Sequence, residues 1–310
     1  MIDKTNDGFE LENKKRIDFE STDEFRRERD KNIMLQMLRR HQYWLIIKKI
    51  IDRKRISRLS HAEKENNFHT KAKQGGHFKK IAVYTCITGG YDKLEKPCFH
   101  SDDVDYYAFI DDTSKYDING WNIKAIPAYI RGLVNNDNIL INRYVKFHPN
   151  EILAAKYDYA VYIDGNIKVV GDVSPLVEAV HPKTGLALHR HRQRDSLYDE
   201  IKVCLIMKKG NREKLKGQAK RYKKEGFPDK FGLYECNVIV SDLKNEKSTE
   251  ILNDWWCEFM RSQSNRDQIA LPYVIWKKGF SYNDIGSLGD NVYRNQKFQL
   301  DSNIHKGANE

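Results

Sequence analysis

The sequence predicts an α/β domain on a mostly parallel sheet flanked by helices, preceded by an N-terminal helical extension. Two observations carry this. From residue 79 onward, apolar runs of strand length alternate with segments of helical length. Several runs are apolar throughout, as strands covered on both faces must be.

The elements follow in order. IAVYTCI (81–87) reads as a first buried strand, ended by Thr88-Gly89-Gly90-Tyr91-Asp92. YYAFIDD (106–112) is a second, closing on paired aspartates, and WNIKAIP (121–127) a third. A helix near 137–147 stops at Pro149, which can open the next short helix at its first position. YAVYID (159–164), GLALHRH (185–191) and YECNVIVS (234–241) are further strands. A long basic helical stretch occupies 195–225, and helices near 248–261 and 266–278 complete the series.

The N-terminal part is different. Residues 1–30 carry 7 Lys/Arg against 10 Asp/Glu and read as a polar, disordered tail. Residues 31–60 carry 9 Lys/Arg against one acid, Asp52, mixed with Ile, Leu, Met and Trp44. This segment is expected to be helical, either docked on protein (its own domain or a second copy) or lying on an anionic membrane surface. Residues 61–78, ending in Gly75-Gly76, read as a linker. The division expected is thus 1–78 for tail, basic helix and linker, and 79–310 for the domain.

The net charge of +10 is concentrated in one stretch, which argues against a nucleic-acid binder. The start, MIDKTNDGFELENKKR, has no apolar signal region, and no run of about 18 apolar residues exists. The expectation is a cytoplasmic protein, with residues 31–60 as its contact to the inner membrane face. Five scattered cysteines without a CxxC point to core thiols. There is no GxGxxG, GxxxxGK[ST] or HExxH, and no Ser-His-Asp order.

In open α/β sheets ligands bind beyond the carboxyl ends of the strands, and the polar clusters fall there. Gly89-Gly90 allows close backbone approach to a ligand. Asp164-Gly165-Asn166 places a carboxylate and an amide two positions apart. If the segment stays extended they share one face with Lys168, which suits a hydrated Mg²⁺ or Mn²⁺ or a phosphate. The same tripeptide is a common turn, the reading local sequence favours. Residues 189–194 hold three arginines and two histidines, a diphosphate clamp if they are not simply solvated. Arg143 and Lys146, three apart, share a helix face. Asp267 opens a helix, where it either caps or binds a sugar hydroxyl. Trp255, Trp256 and Trp276 are a sugar-stacking platform or, more simply, core.

Together IAVYTCITGGYD, YAFIDD, NRYVKFHPNEIL, YAVYIDGNIKV, the HxxRxxxYxE pattern of His191, Arg194, Tyr198 and Glu200, GLYECNVIV and RDQIALPYV resemble a known family. It is a glycosyltransferase-like family of bacterial polysaccharide and capsule proteins with plant mucilage-related members. The family is similar to GT-A glycosyltransferases of the glycogenin-like group. The resemblance, over about residues 79–285, implies a GT-A-like, Rossmann-like fold and a hexosyltransferase-like enzyme using a nucleoside-diphosphate sugar. The acceptor would be a glycan or lipid-linked glycan in surface or capsular polysaccharide synthesis. Thr88, Gly89, Tyr91 and Asp111 would line the nucleotide pocket, and Asp164 would match the first Asp of DxD. Arg143 and Lys146 match a basic pair, Asp267-Gln268 an element near the transferred sugar, and Asn237 an acceptor-side Asn. Asp164, Asp267 and Arg194 are the expected catalytic residues, with His191 and Glu200 in the binding set. Asn166 stands where DxD has its second acid, so Asp164 and Asn166 would hold Mn²⁺ or Mg²⁺ with less charge than usual. His305 is the one later residue offered as a further ligand. The alternative is a non-catalytic nucleotide-sugar or glycan-binding module of a synthesis complex.

Overall fold

A computed structural model describes residues 4–59, 79–113 and 120–300. The linker expected at 61–78 and His305 lie outside the described residues. The chain runs α1 (Lys4–Glu20), α2 (Asp23–Arg39), α3 (Tyr43–Ser57), β1 (Ile81–Ile87), β2 (Val104–Ile110) and β3 (Asn122–Ala125). Next come α4 (Ala128–Leu133), α5 (Asn138–Phe147), α6 (Pro149–Ile152), β4 (Tyr159–Ile163), β5 (Ile167–Val169) and β6 (Leu186–Arg190). The remainder is α7 (Leu197–Ile206), α8 (Arg212–Lys224), β7 (Tyr234–Asp242), α9 (Glu246–Ser262), α10 (Asp267–Lys277), β8 (Gly286–Ser287) and β9 (Phe298–Leu300).

The main sheet has strand order β3-β2-β1-β4-β7-β6-β8, and β5 pairs with β9 in a separate ribbon. Pairings β1–β2, β1–β4, β2–β3 and β6–β8 are parallel. Strand β7 runs antiparallel to both β4 and β6. The expected α/β class with a mostly parallel, helix-flanked sheet is therefore what the chain forms. The reversal of β7 brings its first residues, Tyr234 to Asn237, to the edge where β4 and β6 end.

Every residue of β1 is buried, because the sheet is covered on both faces. Ala82, Tyr84 and Cys86 pack toward α5, α9 and α10, whereas Ile81, Val83 and Ile87 pack toward Trp121, Leu176, Val292 and Phe298. Trp255 lies in the first layer, and Trp276 flanks a satellite core formed with α7 and α8. The tryptophans thus serve packing rather than a sugar platform.

Local chemistry explains the element ends that position the site. Asp137 accepts from the Ile139 and Leu140 N–H groups (2.8 and 3.0 Å) and starts α5. Pro149 occupies the first turn of α6, as the sequence predicts. The long basic helical stretch expected near 195–225 forms as two helices, α7 and α8. Lys208 and Gly210 adopt left-handed φ between them (55° and 75°), which ends the first helix.

Residues 4–30 form α1 and the start of α2 instead of the disordered tail expected. Helix α1 buries Asn13 and Ile17. The Asn13 amide donates to the carbonyls of Gln296 and Phe298 (both 2.8 Å), and Lys297 pairs with Glu10 at 2.8 Å. The absence of a side chain at Gly171 makes room for Glu10. The polarity that looks solvated in sequence is spent on the backbone and charges of the C-terminal ribbon.

Candidate active site

The strand ends surround an open cleft of about 430 Å³. Its walls include Arg143 and Lys146 of α5, Asp164 after β4, and Arg192, Gln193 and Arg194 after β6. Glu200 of α7, Glu235 and Asn237 of β7, and Arg266, Asp267 and Gln268 at the start of α10 complete the main wall. Nine residues singled out from sequence meet here: Arg143, Lys146, Asp164, His191, Arg194, Glu200, Asn237, Asp267 and Gln268.

The centre is a buried ion cluster. The Lys146 ammonium is 2.7 Å from Asp267 Oδ2 and 3.8 Å from Asp164 Oδ1, and Arg143 Nε approaches Asp267 Oδ2 at 3.1 Å. The other Asp267 oxygen accepts the Gln268 backbone N–H (3.0 Å), while Gln268 Nε2 donates to the Tyr234 carbonyl (2.8 Å). Burial alone would raise the Asp267 pKa, but Arg143 and Lys146 hold its carboxyl well below the usual range. It is a fixed anion that orders two cations, and both of its oxygens are already engaged. Burial works against the Arg143 charge, yet Asp267 more than compensates and its pKa rises.

Asp164 keeps 37% of its side chain exposed. Its N–H donates to the Asn237 carbonyl (2.9 Å), and its own carbonyl accepts the Ile167 N–H (3.0 Å). The second bond closes a turn over Gly165-Asn166, so the shared parity of Asp164, Asn166 and Lys168 expected of an extended segment does not hold. A Cβ on Gly165 would meet Asp92 and Ile87 at 2.9 Å, so the turn packs against the loop after β1. Asn166 lies beside the cleft rather than in its wall.

That loop carries Thr88, Gly89 and Tyr91 of the predicted set, and Asp111 after β2 bonds to it. Gly89 and Gly90 both adopt left-handed φ (63° and 64°), and the Gly89 N–H donates to Asp111 Oδ2 at 2.6 Å. Thr88 is buried and donates to the Asn138 carbonyl (2.9 Å), while Tyr91 is exposed. Thr88, Gly89, Tyr91 and Asp111 therefore form a shelf around the loop after β1, outside the cleft wall, against which Gly165 packs.

The basic run after β6 divides by role. His189 is fully buried against Asn295 and Phe298, its pKa pushed down to about 3 by burial, and it stays neutral. Arg190 donates to the Tyr282 and Ile285 carbonyls (2.9 and 2.8 Å) and stacks on Tyr282. These two are structural and cannot clamp an anion. His191, Arg192, Gln193 and Arg194 do reach the cleft. His191 Nδ1 accepts the Gln193 and Arg194 N–H groups (3.2 and 3.1 Å), while Nε2 lies 3.3 Å from an Arg194 terminal nitrogen and 3.6 Å from Glu200. Burial holds its pKa down at about 4. Arg194 bonds Glu200 at 2.5 Å, so its charge is largely committed. Tyr198 of the same pattern donates to the Phe227 carbonyl (2.9 Å), away from the cleft.

Sequence reasoning missed Glu235, Lys209, Asn291 and Tyr293 in the cleft wall. Glu235 had a signal, an acid near the start of a largely apolar strand, two residues before Asn237 and on the same face. It is open to the cleft and enclosed elsewhere. Burial, then the Glu200 charge, pushes its pKa up to about 8. The cleft wall holds six Lys/Arg against four Asp/Glu, a net +2 that becomes +3 when Glu235 keeps its proton. Buried Asn237 Oδ1, Arg266 Nε and Asn291 Oδ1 have no hydrogen-bond partner among the described residues. Among those residues no three His, Cys, Asp or Glu side chains converge as a metal cage. One carboxylate and one amide at the Asp164–Asn166 turn fit an ion only if substrate oxygens complete its shell.

The fold and the site define an α/β domain with a positively charged cleft at its strand ends. The profile of the TOD1/MUCI70, glycosyltransferase-like domain matches residues 140–295, which is 156 of 310 residues, and the chain belongs to this family. No curated protein sequence matches it. Many solved structures match the chain loosely, three of them as follows. The apo glycosyltransferase GlyE of Streptococcus pneumoniae TIGR4 is 15% identical with a TM-score of 0.39, over 68% of this chain and 45% of that one. The galactosyltransferase LgtC, in complex with donor and acceptor sugar analogues, is 16% identical with a TM-score of 0.40, over 63% and 70%. The apo bifunctional glycosyltransferase WbbM is 12% identical with a TM-score of 0.39, over 73% and 41%. The chain spans less than half the length of GlyE.

Proposed function

We propose that the cleft binds a nucleoside-diphosphate sugar and transfers its sugar to a glycan or lipid-linked glycan acceptor, in the synthesis of a surface or capsular polysaccharide in the cytoplasm. The observation that carries this is the cleft itself: a net-positive wall at the strand ends, lined by buried polar atoms without internal partners. A diphosphate supplies the negative charge and acceptor oxygens that this wall lacks, and sugar hydroxyls supply donors and acceptors for Asn237 and Asn291.

The roles follow from the contacts. Arg192, Lys209 and Arg266 face the diphosphate and stabilise the charge that grows on it as the glycosidic bond breaks. Asp267 holds Lys146 and Arg143 in place beside it. The shelf of Thr88, Gly89, Tyr91 and Asp111 receives the nucleoside, and Asp164 stands between shelf and cleft. A Mn²⁺ or Mg²⁺ ion held by Asp164 and Asn166 would add further electrostatic stabilisation of the leaving diphosphate.

A second reading is favoured by one observation: both Asp267 oxygens are engaged and the DxD position carries Asn166. On that reading the domain binds nucleotide sugar without turnover. A thermal-shift panel of nucleoside diphosphates and their sugars, with and without Mn²⁺, tests binding. A ligand at about 100 times its Kd adds about 2.7 kcal/mol of stability. No response to any nucleotide sinks both readings; binding without transfer or donor hydrolysis selects the second.

A further inference from the structure

We infer that the outer face of α3 docks on an anionic lipid bilayer. Helix α3 buries Ile46 alone, and even outside its outer arc Leu45 and Ile50 are 50% and 41% exposed. Arg53, two turns on from Ile46, donates both terminal nitrogens to the Asp30 carboxylate of α2 at 3.0 and 2.9 Å. This side closes the α2–α3 hairpin. At 100° per residue the opposite side, an arc of about 120°, carries Trp44, Ile47 and Ile51 with Lys48, Lys54, Arg55 and Arg58.

All seven of these side chains are exposed. Trp44 is 83% exposed, Ile47 47% and Ile51 45%. The one acid of the helix, Asp52, is half-buried outside the arc. Burying the apolar strip removes hydrocarbon surface from water, and the four cations beside it need a dense negative surface. A bilayer carrying anionic headgroups meets both demands. A second copy does not, because a two-fold contact through this face would bring eight cations together. No helix among the described residues is long and apolar enough to cross a membrane, so the contact is interfacial.

The hairpin also acts on the cleft electrostatically: burial chiefly lowers the Arg192 pKa, Asp290 opposes this, and the charge of Arg26 in the first turns of α2 adds to the lowering.

Vesicle co-flotation of the full chain tests this without any nucleotide. The protein should float with phosphatidylcholine vesicles containing phosphatidylglycerol, not with phosphatidylcholine alone, and high salt should release it. Each of Lys48→Gln, Lys54→Gln, Arg55→Gln and Arg58→Gln should weaken partitioning roughly fivefold. Trp44→Ser with Ile47→Ser should abolish it while the melting temperature of the domain is unchanged. Two results overturn the inference: no flotation with anionic vesicles, or a concentration-dependent dimer in light scattering that Trp44→Ser dissolves. Because lipid binding is read directly, failure of the nucleotide panel leaves this result standing.

Discussion

The Lys146 ammonium lies 2.7 Å from the Asp267 carboxylate, with Arg143 3.1 Å from the same carboxylate and Asp164 3.8 Å from the ammonium. Their backbones are pinned as well. Tyr84 donates its hydroxyl to the Lys146 carbonyl (2.7 Å), and the Trp255 indole donates to the Asp267 carbonyl (2.9 Å). A core tyrosine and a core tryptophan thus fix the pair, which ties the packing of the sheet to the electrostatics of the cleft.

Removing one partner leaves a buried charge uncompensated. Asp267→Asn removes the nearest anion of both Lys146 and Arg143, leaving only the more distant Asp164, and should destabilise the fold by about 3–5 kcal/mol. Lys146→Met alone should cost less, because Arg143 still faces Asp267. In the double variant the two losses should not add, since the second substitution removes a cation the first had stranded. Urea unfolding of the three variants measures the coupling; simple additivity would show that the pair is not a unit.

Asp164 makes the opposite prediction. Its carboxylate is partly open to solvent and touches the cluster only at 3.8 Å from Lys146. Asp164→Ala should therefore leave stability within about 1 kcal/mol of wild type and abolish sugar transfer. Full turnover by a folded variant would remove Asp164 from the reaction.

Much of this was legible because local chemistry agreed with the global fold. Asp137 and Pro149 announced the bounds of the helix carrying Arg143 and Lys146, and the strand ends gathered nine expected residues around one cleft. What sequence hid was direction and partnership. Nothing in YECNVIVS says that it runs antiparallel, yet that reversal puts Glu235 and Asn237 in the site. Nothing local distinguishes His189 and Arg190, which point into the core, from His191 and Arg192 beyond the strand end. The charges of α1 looked solvated because their partners, at residues 296–298, are nearly 300 positions away.

The Glu235 environment sets a pH dependence whose sign is fixed. Burial and the Glu200 charge raise its folded pKa to about 8, while Arg194 and Asn237 oppose the rise. Arg192, Asp290 and Tyr293 complete its charged and titratable surroundings. A group with a raised folded pKa contributes stability fully below its ordinary value near 4.5 and loses it as pH climbs through about 8. Glu235→Gln should match wild type near that lower pH and exceed it by several degrees in Tm at about pH 9. His148, His189 and His191, all lowered chiefly by burial, contribute to the acid limb, because their lowered values make stability fall as pH drops below about 6.5. Coincident pH–stability curves for wild type and Glu235→Gln would show that Glu235 is ionised at neutral pH.

The N-terminal helix should support the site through the ribbon it grips. Helix α1 binds the segment around β9, β9 pairs with β5, and β5 leaves the Asp164–Asn166 turn. Asn13→Leu leaves two carbonyls without their side-chain donor and should cost about 1–3 kcal/mol of local stability. Gly171→Leu drives a side chain into the space of Glu10 and should release the same helix from the other end. Neither change touches the cleft wall, so both should speed amide exchange in α1 and β9 and weaken nucleotide affinity only a few-fold. Hydrogen exchange on the two variants checks this. If α1 exchanges faster while β9 and β5 do not, the helix merely rests on the ribbon and the site does not depend on it.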